Sequence, residues 1–446
     1  MGIQIEIDRV VRAISDKDPS CPRAYYTLSD SARNKVIGAL NPNLLKSLTA
    51  ILKRERKKAL SAANRRFLES AAASIRTPVY LIDETLLEEN MRILRYVKDR
   101  TGCKILHALK AYASFATFPV MSRYLDGVSA SGLNEARLGR EEFGKEVHTF
   151  AAALKDDEVG NVLKYSDVLI FNSYYQLEKY GPQARKTGVE TGIRVNPGYA
   201  EVVTEMYNPC APNSRLGMVY DSFRREFSLY KGMIRGLHFH AMCEQNSDVL
   251  ERILKSFEKL YGPYIKEVKW VNFGGGHHIT REDYDLERLI RMINAFKNRY
   301  GVQVYLEPGE ASVLNAGVLI SSVLDVVKNQ MDIAIMDASA ETHMPDVLLM
   351  PYRPHALQSG TAREKKYTYR VAGPSCLAGD VIGDYSFDRP LKRGDRLVFT
   401  DMALYSIVKN TTFNGINLPD IAVVGQGKAA KVIKRFGYKD YRNRQS

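Results

Sequence analysis

GIRVNPG, residues 192–198, is one of eight short apolar runs between residues 104 and 307 that are spaced like the strands of a (β/α)8 barrel. The others are KILHALK (104–110), GVSASG (127–132), EVHTFAA (146–152), DVLIFN (167–172), IRGLHFH (234–240), VKWVNFGGG (268–276) and VQVYLEPG (302–309). Amphipathic stretches such as LNEARLGREEFG (133–144) and DVLERILKSFEKLYG (248–262) lie between them. Such alternation predicts βαβ units around a parallel sheet. The wider gap between the fifth and sixth runs implies an inserted loop near Tyr199 to Asn213. In a barrel of this kind the chemistry sits at the carboxyl ends of the strands, and the loops after strands seven and eight often hold phosphate. Three runs end in groups suited to that place: Lys110 closes the first, Gly274 to Gly276 the seventh, and Glu307 the eighth.

The flanks read differently. TPVYLID (77–83) is a strand signal ahead of the barrel, and its strand is expected to join the β domain. Beyond about residue 316, VLISSVLDVVKN, MDIAIMDAS, KYTYRVAGPSC and DRLVFTDM are strand signals without long helices between them, which predicts an antiparallel β domain. Residues 1–76 read as a helical extension. Asn41-Pro42 offers a cap followed by proline at the first helical position, and Leu44, Leu45, Leu48, Ile51, Leu52, Ala59, Leu60, Phe67 and Leu68 recur at roughly helical spacing. The expected division is a basic helical extension (1–76), an α/β barrel (77–318) and a β domain with a basic tail (319–446).

Composition bounds the function. A hydrophobic fraction of 45% and a charged fraction of 26% suit a soluble globular protein. The most apolar region, AGVLISSVLDVV, is broken by Asp325, so no membrane span is expected. Glu6, Asp8, Asp16 and Asp18 argue against a secretory or transit segment. Five cysteines form no CxxC pair and no even framework, which suits a reduced, cytoplasmic compartment. The net charge of +13 divides as +8 in residues 1–76, +6 in 427–446 and −1 between them. No nucleic-acid module accompanies these basic ends, and solvated helix faces account for them, so nucleic acid is not an expected partner.

Each candidate group has a bland reading beside the chemical one. Lys110 is a nucleophile if a partly dry site lowers its pKa, and otherwise a surface lysine. The glycines let backbone amides approach an anion, or form a tight barrel-corner turn. Neither a Walker loop nor GxGxxG is present. Glu307, before Pro308, is a partner for a pyridinium nitrogen or an ordinary strand-end carboxylate. His238, His240 and Cys243 in HFHAMC offer metal ligands. The other strand ends suit a phosphate-bearing cofactor instead, with the His240 ring stacked flat on it and no metal. Cys376 in GPSCLAGD and Tyr405 in MALYSIVKNTTFNG do not stand out unaided.

Together, HALKAYAS, SASGLNEARLG, GLHFHAMCEQ, FGGGHHIT, LEPGEA, HMPDVLLMPYRP and GPSCLAGD resemble the fold type III pyridoxal phosphate decarboxylases, relatives of the ornithine, diaminopimelate and arginine enzymes with an alanine-racemase-like barrel. Within that family they are most similar to the branch acting on carboxynorspermidine and carboxyspermidine. The resemblance spans roughly residues 77–425 and leaves 1–76 outside. It implies a carboxy-lyase of polyamine biosynthesis with pyridoxal 5'-phosphate held covalently by Lys110. By the same resemblance His240 stacks on the ring, Glu307 pairs with its nitrogen, and Gly274, Gly275, Gly276 and Tyr405 hold the phosphate. It further implies a homodimer with shared active sites, in which Cys376 of one subunit protonates the product carbon in the other. Two departures bear on substrate. Ornithine-type members carry arginine after EPG and an acid after the cysteine, where this chain has Glu310 and Leu377. A lost cation and a new anion suit a longer polyamine with extra ammonium groups. Glu310, Asp346, Asp380 and Glu244 are the candidates for gripping them, or else salt-bridged surface acids.

Overall fold

Four helices open the chain: α1 (Gly2–Ser15), α2 (Cys21–Thr27), α3 (Asp30–Ala39) and α4 (Pro42–Ala72). The computed structural model describes residues 2–18, 20–73 and 75–446. Helix α3 starts where the Ser29 hydroxyl accepts the Ala32 N–H, and α4 where the Asn41 side chain accepts the Leu44 N–H, with Pro42 in the first turn. The chain divides into two units, one of residues 1–56, 90–110 and 118–312, the other of 57–89, 111–117 and 313–446. The residues read as one extension are therefore shared between the units.

In the first unit, β2 (Lys104–Ala108), β3 (Gly127–Ala130), β4 (Glu146–Phe150), β5 (Val168–Phe171), β6 (Glu190–Arg194), β7 (Gly236–His238), β8 (Trp270–Asn272) and β9 (Gln303–Leu306) follow β1 of the other unit and close into an all-parallel barrel. All eight apolar runs become strands, because strands buried on both faces need continuous apolar sequence. Closure comes from β2 pairing with β9, Lys104 opposite Tyr305 and Ile105 opposite Leu306. Leu106, Val168, Ile170, Trp270 and Tyr305 fill the bore. The one tryptophan fits because glycine stands at 192 and 236. A Cβ at Gly236 would lie 2.0 Å from its ring, and one at Gly192 would lie 2.5 Å away. At the amino-terminal end of the barrel, Glu146 accepts from Lys104 (2.9 Å) and the Tyr305 hydroxyl (2.9 Å) and contacts His148 Nε2 (2.8 Å).

The α1–α3 cluster buries Ile7, Val10, Ile14, Tyr25 and Val36 together with Leu48, Leu52, Tyr96 and Ile290. It is stapled to helix Glu84–Thr101 through Asp99, which accepts from the Tyr25 hydroxyl (2.9 Å), Arg33 Nε (3.2 Å) and Arg95 Nε (2.8 Å).

The second unit is built on a nine-stranded sheet. Its strands are β1 (Val79–Asp83), β10 (Gly317–Asn329), β11 (Met331–Met336), β12 (Gly360–Thr361), β13 (Tyr367–Ala372), β14 (Val381–Phe387), β15 (Arg396–Thr400), β16 (Asp420–Val424) and β17 (Lys431–Lys434). The expectation of an antiparallel domain needs one correction. The sheet is mixed, because β1 runs parallel to β16 and β11 parallel to β13, while the other pairings are antiparallel. Between β11 and β13 the chain makes two short helical turns and β12, a connection long enough to bring β13 back in the same direction. Arg66 of α4 grips Asp83 at the end of β1 with two bonds (2.6 and 2.9 Å).

Replacing Asp99 by alanine should leave two buried guanidinium groups short of a partner. Asp30 still serves both, so a loss of about 3 kcal/mol is expected, the lower end for breaking a buried pair. Thermal unfolding and limited proteolysis of residues 1–40 read this out. An unchanged melting temperature and digestion pattern would show that the staple does not hold the extension.

Candidate active site

Lys110 lies two residues beyond β2, at the mouth of the barrel. It lines one pocket with Arg194, His238, His240 and Glu307. With Arg194 and His240 it also opens into a wider cavity of about 520 Å³ walled by residues 205–216. That wall belongs to the inserted loop that the gap between the fifth and sixth runs implied. Lys110 is exposed at the open mouth and lines both cavities. Displaced water lowers the amine's pKa first and the Arg194 cation lowers it further, against the pull of Glu307 and Glu310. A lysine so placed carries a free electron pair more often at neutral pH.

Glu307 is 8% exposed and clamped. Asn272 Nδ2 donates to Oε1 (2.8 Å), and His238 Nε2 stands 3.3 Å from Oε2. Burial raises this carboxyl, but His238, His148 and Asn272 outweigh it and hold the group well below the usual carboxylate range. A carboxylate kept ionised in a dry pocket suits a pyridinium N–H.

His240 is fixed by an N–H from Gly275 to its Nδ1 (3.0 Å), which leaves Nε2 to carry the ring proton. Burial, then the charges of Lys110 and Arg194, hold its pKa well below the usual imidazole value, so the ring is neutral and flat. Among the described residues no three His, Cys, Asp or Glu side chains converge to hold a metal ion.

The three glycines are needed where they stand. Gly274 and Gly276 have φ of +69° and +82°. A Cβ at Gly274, Gly275 or Gly276 would fall 2.4, 2.5 or 2.1 Å from the carbonyl oxygens of Phe239, Glu307 or Met242. Two of their amides are already committed, Gly274 N–H to Asn272 Oδ1 (2.8 Å) and Gly275 N–H to His240 Nδ1 (3.0 Å). In this arrangement the first two amides hold Asn272 and His240 in place. Reactive amine, ionised carboxylate and flat imidazole around one pocket fit the pyridoxal ring.

The other expected residues are distributed as follows. Glu310 contacts His278 Nε2 (2.8 Å) and is mostly buried. Glu244 is exposed, with left-handed backbone (φ +54°). In the second unit Asp346 pairs with Lys409 (2.5 Å), Tyr405 has φ +52°, and Cys376 is exposed with its backbone N–H on Asn414 Oδ1 (2.8 Å). Asp380 is not available to an amine: it is 3% exposed, and its oxygens accept the N–H groups of Ala340 (2.7 Å) and Ser375 (3.2 Å). It is a structural cap, spent on backbone donors that burial would otherwise leave unpaired. Arg194 is the site residue that pattern reading passes over, although it stands inside GIRVNPG. A charged side chain interrupting an apolar run at a strand's carboxyl end was the available signal.

The family model for the pyridoxal-dependent decarboxylase C-terminal sheet domain matches residues 79–403. The chain is 42% identical over 378 residues to the carboxynorspermidine/carboxyspermidine decarboxylase of Campylobacter jejuni, covering 82% of this chain and 98% of that one. It is 39% identical to the carboxyaminopropylagmatine decarboxylase of Synechocystis, over 83% of this chain and 96% of that one. The crystal structure of carboxynorspermidine decarboxylase from C. jejuni, complexed with norspermidine, superposes with a TM-score of 0.78 at 41% identity, over 83% of this chain and all of that one. Diaminopimelate decarboxylase from Helicobacter pylori shares the fold, with a TM-score of 0.72 at 19% identity. The chain belongs to the pyridoxal-dependent decarboxylases, in the branch of the carboxynorspermidine/carboxyspermidine decarboxylases, and pyridoxal 5'-phosphate is its cofactor.

Proposed function

We propose that the chain removes the α-carboxylate of carboxynorspermidine, carboxyspermidine or both, releasing norspermidine or spermidine. The observation that carries this reading is the Lys110 amine in one pocket with Glu307 and His240. Bound there, pyridoxal phosphate supplies the electron sink for the bond to the departing carboxylate. Lys110 holds the cofactor and yields to the substrate amine, Glu307 keeps a proton on the ring nitrogen, and His240 supports the ring face. Gly276 and Tyr405 bind the phosphate. Glu310 and Asp346 receive the distal ammonium groups, with Glu244 at the rim. Cys376, from the partner subunit of a homodimer, delivers the proton that replaces carbon dioxide. The enzyme works in the cytoplasm, where its cysteines stay reduced.

The anionic Glu310 disfavours diaminopimelate, whose distal carboxylate it would repel. A carboxyaminopropylagmatine substrate has support of its own in the Synechocystis relative, and its distal cation meets the same acids. A panel of carboxynorspermidine, carboxyspermidine, carboxyaminopropylagmatine, ornithine and diaminopimelate decides among them. Turnover of diaminopimelate or ornithine alone would overturn the assignment, and a cofactor-loaded protein that turns over none would be a binding protein instead.

Lys110→Ala should lose the visible absorption of covalently held cofactor and at least ~10³-fold of turnover; normal activity in that variant ends the reading. Cys376→Ala should retain cofactor but release a transamination product alongside the amine, and an unchanged product profile removes the cysteine from protonation. Glu310→Arg should cost ~100-fold in kcat/KM on carboxylated polyamines, as a like charge set against a distal ammonium. An unaltered kcat/KM would clear Glu310 of substrate contact.

A further inference from the structure

Arg194 is 6% exposed, yet among the described residues its guanidinium has no hydrogen bond or ion pair. Its near partner is the face of Phe150, 4.5 Å from the ring centre. Its backbone is locked on both sides: Met218 N–H donates to the Arg194 carbonyl (2.9 Å), and Val195 N–H to the His238 carbonyl (2.8 Å). The side chain lines the Lys110 pocket and the wider cavity above it. Glu307 is the carboxylate of that pocket, with one oxygen bonded by Asn272 and the other 3.3 Å from His238 Nε2.

A guanidinium carries five donors in a planar fork and stays charged when buried. Leaving such a group unpaired beside a second cation, Lys110, is costly. An oxyanion entering the cavity that Arg194 lines would find those donors uncommitted.

We propose that Arg194 is a binding residue for an oxyanion in the ring pocket, either the phenolic oxygen of the cofactor ring or the α-carboxylate of the substrate. This rests on the reading of the pocket given under Proposed function. In either role its fixed cation would add to that of Lys110 in answering the charge of the oxyanion.

Two full-length variants test it, Arg194→Gln and Arg194→Lys, with three measurements on each. The first is the dissociation constant of pyridoxal phosphate with no substrate present. The second is the pH midpoint of the bound cofactor's absorption change. The third compares KM for carboxynorspermidine with the inhibition constant of norspermidine, which lacks the carboxylate. If the ring oxygen is the ligand, Arg194→Gln weakens cofactor binding about 10-fold or more and moves the absorption midpoint. If the carboxylate is the ligand, cofactor binding and midpoint stay within about twofold, KM rises about 10-fold or more, and norspermidine inhibition does not change. Arg194→Lys restores part of either loss, and decides the matter if Arg194→Gln fails to fold. The proposal falls if all three readings stay within about twofold, or if both polyamines weaken equally with an unmoved midpoint, the mark of a merely structural residue. Failure of the wild-type protein to turn over carboxylated polyamines would instead sink the functional reading on which the proposal rests.

Discussion

Pairing of the first barrel strand with the last is the constraint on which the rest of the site depends. Lys110 and Glu307 are 197 positions apart in the chain. They share a pocket because Lys104 and Ile105 pair with Tyr305 and Leu306. Every strand runs in the same direction, so each strand's carboxyl end opens on the same mouth. A barrel that failed to close would scatter these groups and leave a charged carboxylate buried without its partners. The fill of the bore supports closure, with glycines at 192 and 236 giving way to the ring of Trp270.

Within that mouth the chemistry follows from which charges are satisfied and which are not. Glu307 is held ionised by two neighbours, one neutral amide and one imidazole. His240 is held neutral by burial and by the cations near it. Lys110 is pushed towards its free-base form by the same burial and by Arg194. Each effect comes from burial acting with a neighbouring charge, and each would fade in an open groove. The backbone takes part directly: the Gly274 and Gly275 amides orient Asn272 and His240, which links the glycine turn to both ring contacts.

Much of this was legible in the chain. The eight runs were visible because parallel strands covered on both faces need apolar residues at nearly every position. The Asn41 cap was visible because its geometry is local, and the capping bond to Leu44 N–H is present. Lys110 and Glu307 stood out because each ends a strand. Asp380 misled because a carboxylate in a loop of Ser, Gly and Pro looks solvent-facing, whereas three-dimensional packing turned it onto the amides of Ala340 and Ser375. The parallel pairings of β1 with β16 and β11 with β13 were hidden for a similar reason: strand direction within a sheet depends on how the connections travel, not on the strand's own residues.

What the sequence determined by itself was therefore the set of elements and the positions where they end, since periodicity, caps and strand-end residues are local properties. Which charges would be paired was decided only by the tertiary structure. Arg194 and Asp380 are both ionic residues in loop or strand-end segments. Folding leaves one as a bare cation facing a cavity and consumes the other in backbone hydrogen bonds. Partners more than a few residues away in the chain set the energy of a buried charge, and no local pattern carries that information.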